Sequence, residues 1–171
     1  MKKIFFSVIV AVLCFAKAAY AQPDKWEVFK STHFLLYYKN ASQDSLKQIS
    51  DKCEEYYNRI AEELGFSRLD FWLWDDRARV YIYDDAKSFR ATTGQPAWSQ
   101  GFAIPGYKVI QTFIGAEYFL ETTLAHEMSH IIFREFIGYK RQLPIWLDEG
   151  VATFVEGSQR VNRLAFAKAA A

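Results

Sequence analysis

The chain has 171 residues, 21 of them basic and 20 acidic, with a formal net charge of +1. This length fits one domain of ordinary size. The near-balanced charge gives no sign of the basic surface that a nucleic-acid partner requires, so we expect none.

Residues 1–21 have the features of a secretory signal peptide. Two lysines near the start precede an apolar run at 4–16, and residues 19–21 fit a small-x-small cleavage pattern. The run is shorter than the roughly 20 residues that span a membrane, although a retained anchor is the alternative. Cleavage would leave residues 22–171 as one secreted or periplasmic domain without stable membrane insertion. That domain would hold 18 basic and 20 acidic residues, a net charge of −2.

Hydrophobic periodicity predicts the elements of the first half. Residues 34–38 are apolar and aromatic and predict a strand, and the alternation at 79–84 predicts another. Apolar side chains at three- and four-residue steps predict a helix over 42–64. A shorter helix is predicted at 85–93. The long helix carries Cys53, the one cysteine after residue 21, which we expect to be buried and without an intrachain disulfide partner.

The second half predicts short strands followed by two helices. Residues 101–104 and 107–114 are the strand candidates, and 117–137 predicts a long helix with an apolar stripe. Pro144 interrupts the following loop, and another helix is predicted from about Trp146. Strands with one long helix come first and a helix pair comes last. This order indicates an α+β fold rather than alternating βαβ units.

The long second-half helix carries the sequence HEMSH at residues 126–130, an HExxH motif. Residues four apart lie on one helix face, so His126 and His130 can bind one Zn²⁺ together. Glu127 lies close enough to reach a water molecule as a general base. HExxH alone occurs by chance in many chains, so a third ligand is needed to support the site.

Glu149 is the candidate third ligand, with eighteen residues between it and His130. Two histidines and a carboxylate leave a fourth position open for water in catalytic zinc sites. On its helix, Leu147, Val151 and Phe154 fall at helical spacing and are predicted to form the buried side. Glu149 lies on a different face that can turn toward the metal.

The segments LAHEMSH at 124–130 and LPIWLDEG at 143–150 resemble those of gluzincin metallopeptidases, and in particular the peptidase MA-like group. The resemblance covers about residues 100–157. It implies a zincin-like α+β fold, with a small N-terminal mixed sheet and helices and a C-terminal active-site helix pair. An edge strand just before the motif helix would bind substrate in extended form, and residues 101–104 and 107–112 are both candidates.

The resemblance also implies the roles of the site residues. His126, His130 and Glu149 would bind one Zn²⁺, and Glu127 would be the general base. The implied activity is zinc-dependent hydrolysis of peptide bonds in a peptide or protein substrate. Two alternatives stay open: a non-catalytic zincin-like module that binds zinc or peptides, and a zinc hydrolase of another envelope amide. The oligomeric state is not indicated.

Two positions depart from the gluzincin pattern. Some gluzincins have an acidic residue four after the glutamate ligand, where this chain has Thr153, while Glu156 is acidic one turn later. A Tyr or His that stabilises the oxyanion often follows that ligand, and none does here. Tyr139, Tyr107 and Arg160 are the candidate substitutes. The chain ends in an alanine-rich stretch, predicted to be helical, which leaves open a longer parent enzyme.

Other chemically active residues have structural interpretations. His33 lies in a strand candidate away from the motif and is interpreted as structural or surface-exposed. Asp148 should point about 100° away from Glu149, as a charge in the first helical turn. Asp75 and Asp76 are interpreted as loop carboxylates. The aromatic group at 71–74 is predicted to be core or a packed loop.

Overall fold

The computed structural model describes residues 25–66, 71–116 and 118–156. The predicted signal peptide, Arg160 and the alanine-rich end at 164–171 lie outside the described residues. In chain order, the strands and longer helices are β1 (Glu27–Lys30), β2 (Phe34–Tyr38), α1 (Gln43–Glu63), β3 (Ala78–Tyr83), α2 (Ala86–Thr93), β4 (Gly101–Ile104), β5 (Val109–Phe113), α3 (Leu124–Ile137) and α4 (Ile145–Val155). Among these residues no helix is long and apolar enough to cross a bilayer.

The five strands form one mixed sheet in the order β1-β2-β3-β5-β4. β2, β3 and β5 run parallel to one another, and β1 and β4 are antiparallel to their neighbours. α1 connects β2 to β3, which makes one βαβ unit inside an otherwise α+β arrangement. The predicted fold class, a small zincin-like α+β fold, is confirmed. The two strand candidates before the motif helix are also distinguished, because β4 is the edge strand and β5 lies inside the sheet.

Two predicted boundaries shift in the second half. The strand expected at 107–114 begins at Val109, because Pro105–Tyr107 form a 3₁₀ turn and Lys108 has a left-handed φ of 50°. The helix expected at 117–137 starts as a π-helical turn at Phe119–Thr123 and becomes α-helical at Leu124. π-helical turns are often found beside functional sites, and this one directly precedes the HExxH motif.

The main core lies between one face of the sheet and helices α1 and α3. Leu36, Val80 and Ile110 are in register on the three central strands and are fully buried. The apolar stripe predicted for α1 is buried at Leu46, Ile49, Cys53 and Ile60, and both candidate tyrosines, Tyr56 and Tyr57, are buried. Leu64, the last residue of the predicted stripe, is only partly covered. The fully buried stripe of α3 comprises Leu124, Met128, Ile131 and Ile132. Each such side chain contributes roughly 1.5–3 kcal/mol when fully buried. This burial fixes α3, the helix that carries the motif, against the sheet.

The predicted buried side of α4 is wrong. Phe154 is 43% exposed, and Leu147 and Val151 are only partly covered, whereas Ala152 and Val155 are buried. The helix is turned so that Asp148, with a side chain only 15% exposed, forms an ion pair with Arg134 of α3. The packed side of α4 therefore carries this ion pair together with Ala152 and Val155.

Trp72 and Cys53 are structural, as predicted, but Trp74 is not packed. Trp72 is fully buried, and its indole N–H donates to Glu135 at 2.5 Å. Burial raises the pKa of the Cys53 thiol, which disfavours the reactive thiolate. Trp74 is 80% exposed, so the prediction of a packed aromatic group at 71–74 is wrong for this residue.

His33 is a structural residue, as predicted. Its ring stacks on Tyr57 with centroids 4.0 Å apart, and its Nδ1 lies 2.6 Å from Glu54 Oε2. The other oxygen of Glu54 accepts hydrogen bonds from the backbone N–H of His33 and the hydroxyl of Ser31. Burial alone would raise the pKa of Glu54, but these hydrogen bonds outweigh burial and lower it. The cluster joins the β1–β2 turn to α1.

We expect Glu54→Gln to lower the free energy of unfolding by about 1.5–3 kcal/mol at pH 7, the contribution of hydrogen bonds to a charged group. Because folding lowers the pKa of Glu54, its contribution is present above the unfolded value of about 4.3 and is lost as the pH falls through the folded value. Urea unfolding at pH values from 7 to 3 should therefore show that the free energies of unfolding of wild type and Glu54→Gln converge in acid. A constant difference across this range would contradict the assignment.

Candidate metal centre

The ring nitrogens of the two motif histidines meet a carboxylate from α4. His126 Nε2 and His130 Nε2 are 3.2 Å apart on α3. Glu149 Oε2 lies 3.4 Å from His126 Nε2, and Glu149 Oε1 lies 3.8 Å from His130 Nε2. The three side chains therefore offer ligand atoms that all lie within 4.8 Å of one another.

A carboxylate lies near the Nδ1 atom of each ring, hydrogen-bonded to His126 and at ion-pair distance from His130, and this bears on whether a cation fits at the Nε2 atoms. His126 Nδ1 lies 2.7 Å from Glu156 Oε1, and His130 Nδ1 lies 3.4 Å from Asp148 Oδ1. A carboxylate at Nδ1 favours the proton there and leaves the Nε2 lone pair free to bind metal. Two lone pairs and a carboxylate then converge, an arrangement that a cation stabilises. Tetrahedral ligands at about 2.0–2.1 Å from zinc would be about 3.4 Å apart, close to the Nε2–Nε2 spacing observed.

Glu127 is held beside this cluster by the edge strand. Its Oε2 accepts a hydrogen bond from the backbone N–H of Ala103 on β4, at 2.6 Å. Burial raises the pKa of the Glu127 carboxyl group, and the Ala103 N–H and the two neighbouring histidines partly offset that effect. A raised pKa suits a carboxylate that accepts and then returns a proton.

Glu156 occupies the role that the sequence left open at Thr153. It is 7% exposed, and its carboxylate accepts from the ring of His126. Glu149 and Glu156 are seven residues apart, two helical turns, so they share one face of α4 and both approach His126. Glu156, one helical turn after Thr153, thus makes the contact to His126 that the gluzincin pattern led us to expect from position 153.

Asp148 lies in the first turn of α4, as predicted, but it is more than a surface charge. Its Oδ2 accepts from Nε and Nη2 of Arg134 at 3.1 and 2.8 Å. Its Oδ1 is buried with no hydrogen-bond partner among the described residues, and it faces the His130 ring. The sequence interpretation missed this role because it depends on Arg134, fourteen residues earlier on another helix.

A cavity of about 630 Å³ opens beside His126 and Glu127. One wall is the segment before and into β4, from Trp98 to Gly101, and the other is the π-helical turn with Tyr118 and Thr122. Sequence reasoning singled out Gly101, in a candidate substrate-binding strand, but not Trp98, Tyr118 or Thr122. The π-helical turn at Phe119–Thr123 could have pointed to this wall, but the sequence predicted ordinary α-helix there.

The candidate oxyanion residues are not gathered at the cluster. Burial raises the pKa of the Tyr139 hydroxyl, and the charges that act on it are Glu135 and Asp76, not the metal-site residues. Tyr107 lies in the 3₁₀ turn after β4 and is largely exposed. Arg160 lies outside the described residues. Tyr118 lines the same cavity as His126 and Glu127 and is the aromatic hydroxyl that the sequence interpretation overlooked.

A mixed sheet with an edge strand and a two-histidine, one-glutamate cluster on adjacent helices defines a zincin-like α+β protein. The model of the Peptidase MA superfamily matches residues 74–171, and the chain belongs to that superfamily. The match supports a peptidase-like function at the family level, and the superfamily is typically zinc-dependent. A search of curated proteins found no significant match.

Proposed function

We propose that this protein is a zinc-dependent metallopeptidase of the gluzincin type that hydrolyses peptide bonds in a peptide or protein substrate. One observation carries the proposal: the ligand atoms of His126, His130 and Glu149 converge within 4.8 Å. Glu127 lies beside them and lines the adjoining cavity. The family match to residues 74–171 supports the same reaction class.

Each residue of the site has a distinct part in the proposed reaction. His126, His130 and Glu149 would hold Zn²⁺, which when bound supplies Lewis-acid activation of water and of the substrate carbonyl. Glu127 takes a proton from the attacking water and delivers it to the nitrogen of the leaving amine as the C–N bond breaks. The hydrogen bond from the Ala103 N–H would hold the Glu127 carboxylate in place for both proton transfers.

The most informative experiment is a broad peptide-library digest by the purified protein, with and without a zinc chelator. We expect cleavage that the chelator abolishes and added zinc restores. Cleavage that survives complete removal of zinc would contradict the proposal. A protein that carries stoichiometric zinc and cleaves no peptide would favour one of the two alternatives below.

We expect Glu156→Gln to lower zinc affinity or kcat by about 10–100-fold, because a metal-binding histidine loses the charged acceptor that orients its ring. Competition with a fluorescent chelator measures the zinc affinity. Glu63→Gln is the matched control, since that carboxylate is exposed near the end of α1. Equal zinc affinity and kcat in wild type and Glu156→Gln would remove the orienting role.

Two other functions share this fold and site. A non-catalytic module that binds zinc or peptides is favoured by the dispersed oxyanion candidates, since Tyr139 interacts with Glu135 and Asp76. A zinc hydrolase acting on another envelope amide would use the same residues. Full biological function in a Glu127→Gln protein would favour the module, and cleavage of cell-wall amides but no peptides would favour the hydrolase.

The proposed location is secreted or periplasmic, and it depends on residues 1–21 acting as a cleaved signal peptide. We propose no nucleic-acid partner and no stable membrane insertion of residues 22–171. Mass spectrometry of the protein from the culture medium or periplasm would test the location and the absence of membrane insertion. An N-terminus near Gln22 is expected, and an intact N-terminus in the membrane fraction would contradict them.

A further inference from the structure

A second cavity, of about 340 Å³, opens on the face of the sheet opposite α1 and α3. Tyr81 and Tyr83 alternate along β3 with the buried core residues Val80 and Ile82, so their side chains point to this other face. The cavity is lined by Trp26, Lys39, Tyr81, Tyr83, Thr92 and Gln111. None of these residues belongs to the metal centre. The volume lies at the lower end of the roughly 300–1,000 Å³ that is typical of small-molecule sites.

The cavity lies where the chain leaves two neighbouring parallel strands in opposite directions. β2 continues into α1, which packs on the core face of the sheet. β3 continues into α2, whose Phe89 ring lies 5.8 Å from that of Tyr83 and 5.3 Å from that of Phe113 on the other face. Lys39 directly follows β2, and Tyr83 ends β3. In open sheets of parallel strands, such a change of direction at the carboxyl ends of the strands creates a crevice that commonly binds ligands.

The aromatic rings of the cavity brace one another. Trp26 meets Tyr81 and Tyr83 nearly at right angles, with ring centroids 5.4 and 5.3 Å apart. Tyr37 stacks on Tyr81 at 4.7 Å. Lys39 Nζ lies 5.0 Å from the centroid of the Trp26 ring. Trp26 and Tyr81 remain partly exposed, so the cavity presents apolar ring surface that is positioned before any ligand arrives, which lowers the entropic cost of binding.

The polar groups of the cavity are mainly hydrogen-bond donors. The Tyr83 hydroxyl donates to Gln111 Oε1 at 2.9 Å. The oxygen of the Gln111 amide is thereby engaged, and its NH₂ group can donate to a ligand. The ammonium of Lys39 adds further donors, and no carboxylate is among the described residues that line the cavity. A ligand that fits this lining should therefore bring hydrogen-bond acceptors of its own.

The strand ends beside the cavity disfavour a phosphate ligand. Helix N-termini are the usual phosphate sites at such a crevice, but the N-terminus of α1 is capped by Ser42 and that of α2 by Asp85. Asp84 joins the two strand ends, because it accepts hydrogen bonds from the backbone N–H and the side chain of Asn40 at 3.1 and 3.2 Å. Asp84 and Asp85 directly follow Tyr83, and their negative charges repel an anion. The lining therefore favours a neutral ligand.

We propose that this cavity binds a neutral pyranose sugar that carries an acetamido group. The C–H face of the sugar ring would pack on the aromatic rings, and the acetamido carbonyl would accept from Gln111 or Lys39. A sugar of this class combines an apolar face with several acceptor oxygens, the two features that the lining complements. The site is independent of the proposed peptidase function. Because α3 packs on the opposite face of the sheet, a bound glycan would leave the metal centre accessible.

Sugar binding is measured by NMR titration of the ¹⁵N-labelled, zinc-loaded protein with three probes: the methyl glycoside of N-acetyl-β-glucosamine, methyl β-glucoside and glucose 6-phosphate. We expect a dissociation constant of about 1 mM for the acetamido sugar. Methyl β-glucoside should bind at least about fivefold more weakly, because one net hydrogen bond is lost, and glucose 6-phosphate more weakly still. The largest shift changes should fall on the Trp26 indole and the Gln111 side-chain amide.

Two variants test the lining separately. Trp26→Ala removes an aromatic ring, and Gln111→Met removes the amide donors at similar length. Each should weaken binding of the acetamido sugar by at least about fivefold. Trp74→Ala is the matched control, because Trp74 is an exposed tryptophan that lines a separate hollow with Thr32 and Arg77, and it should leave binding unchanged. Thermal unfolding and zinc content verify that each variant is folded.

Several results would overturn the inference. They are the absence of shift changes with the acetamido sugar at about 50 mM, far above the expected dissociation constant, shift changes confined to residues outside the cavity, and binding that survives both Trp26→Ala and Gln111→Met. Equal affinity for methyl β-glucoside would show that the acetamido group is not recognised. Tighter binding of glucose 6-phosphate would show an anion site in place of the neutral-sugar site.

Discussion

Replacing Glu127 by Gln is expected to lower kcat for peptide hydrolysis by about 10²–10⁴-fold, the usual contribution of a positioned general base. Glutamine has nearly the same shape and can still accept the hydrogen bond from the Ala103 N–H. It cannot take a proton from water. Zinc content and thermal unfolding should therefore stay close to wild type while turnover collapses.

Glu121→Gln is the control for this experiment, because that carboxylate is exposed in the π-helical turn just before the motif helix. Its kcat should match wild type within about twofold, as expected for a surface substitution. Zinc-dependent turnover that persists in Glu127→Gln would exclude the proposed general base. A loss of zinc together with activity would instead indicate that Glu127 has a structural part in the metal centre.

Replacing His130 by Ala is expected to remove the bound metal. Losing one of three protein ligands should cost more than the roughly 10–100-fold that loss of an orienting partner costs, so zinc affinity should fall by more than about 100-fold. Hydrolysis should fall to background. Elemental analysis after dialysis, with chelator competition for the affinity, measures both effects.

His33→Gln is the matched control among the three histidines. The ring of His33 stacks on Tyr57 and pairs with Glu54, both of which belong to α1. The variant should lose stability but retain one zinc per chain at room temperature. Stoichiometric zinc in His130→Ala, or loss of zinc in His33→Gln, would show that the ligands have been assigned to the wrong residues.

The features that the sequence predicts well are those encoded by short spacings. The stripe of α1 from Leu46 to Ile60 is buried, and His126 and His130 lie on one face of α3 because both periodicities follow from helix geometry. Helix ends marked by glycine are also predictable from local sequence, as at Gly94, which ends α2 with a φ of 73°. These elements need no knowledge of the remainder of the chain.

The features that sequence analysis missed depend on pairs of residues distant in the chain. Asp148 of α4 pairs with Arg134 on the neighbouring helix, and Ala152 packs where Phe154 was expected. The edge strand could not be chosen before the strand order was known. Trp98 and Tyr118 line one cavity although twenty residues separate them in the chain. Each depends on tertiary geometry, which periodicity does not contain.

The central claim is that His126, His130 and Glu149 hold one zinc ion. Anomalous diffraction at the zinc absorption edge, from crystals of protein purified without added chelator, tests it directly. We expect one strong peak about 2.0–2.2 Å from Nε2 of both histidines and from a Glu149 oxygen. Zinc located elsewhere, or no peak in protein that hydrolyses peptides, would contradict it.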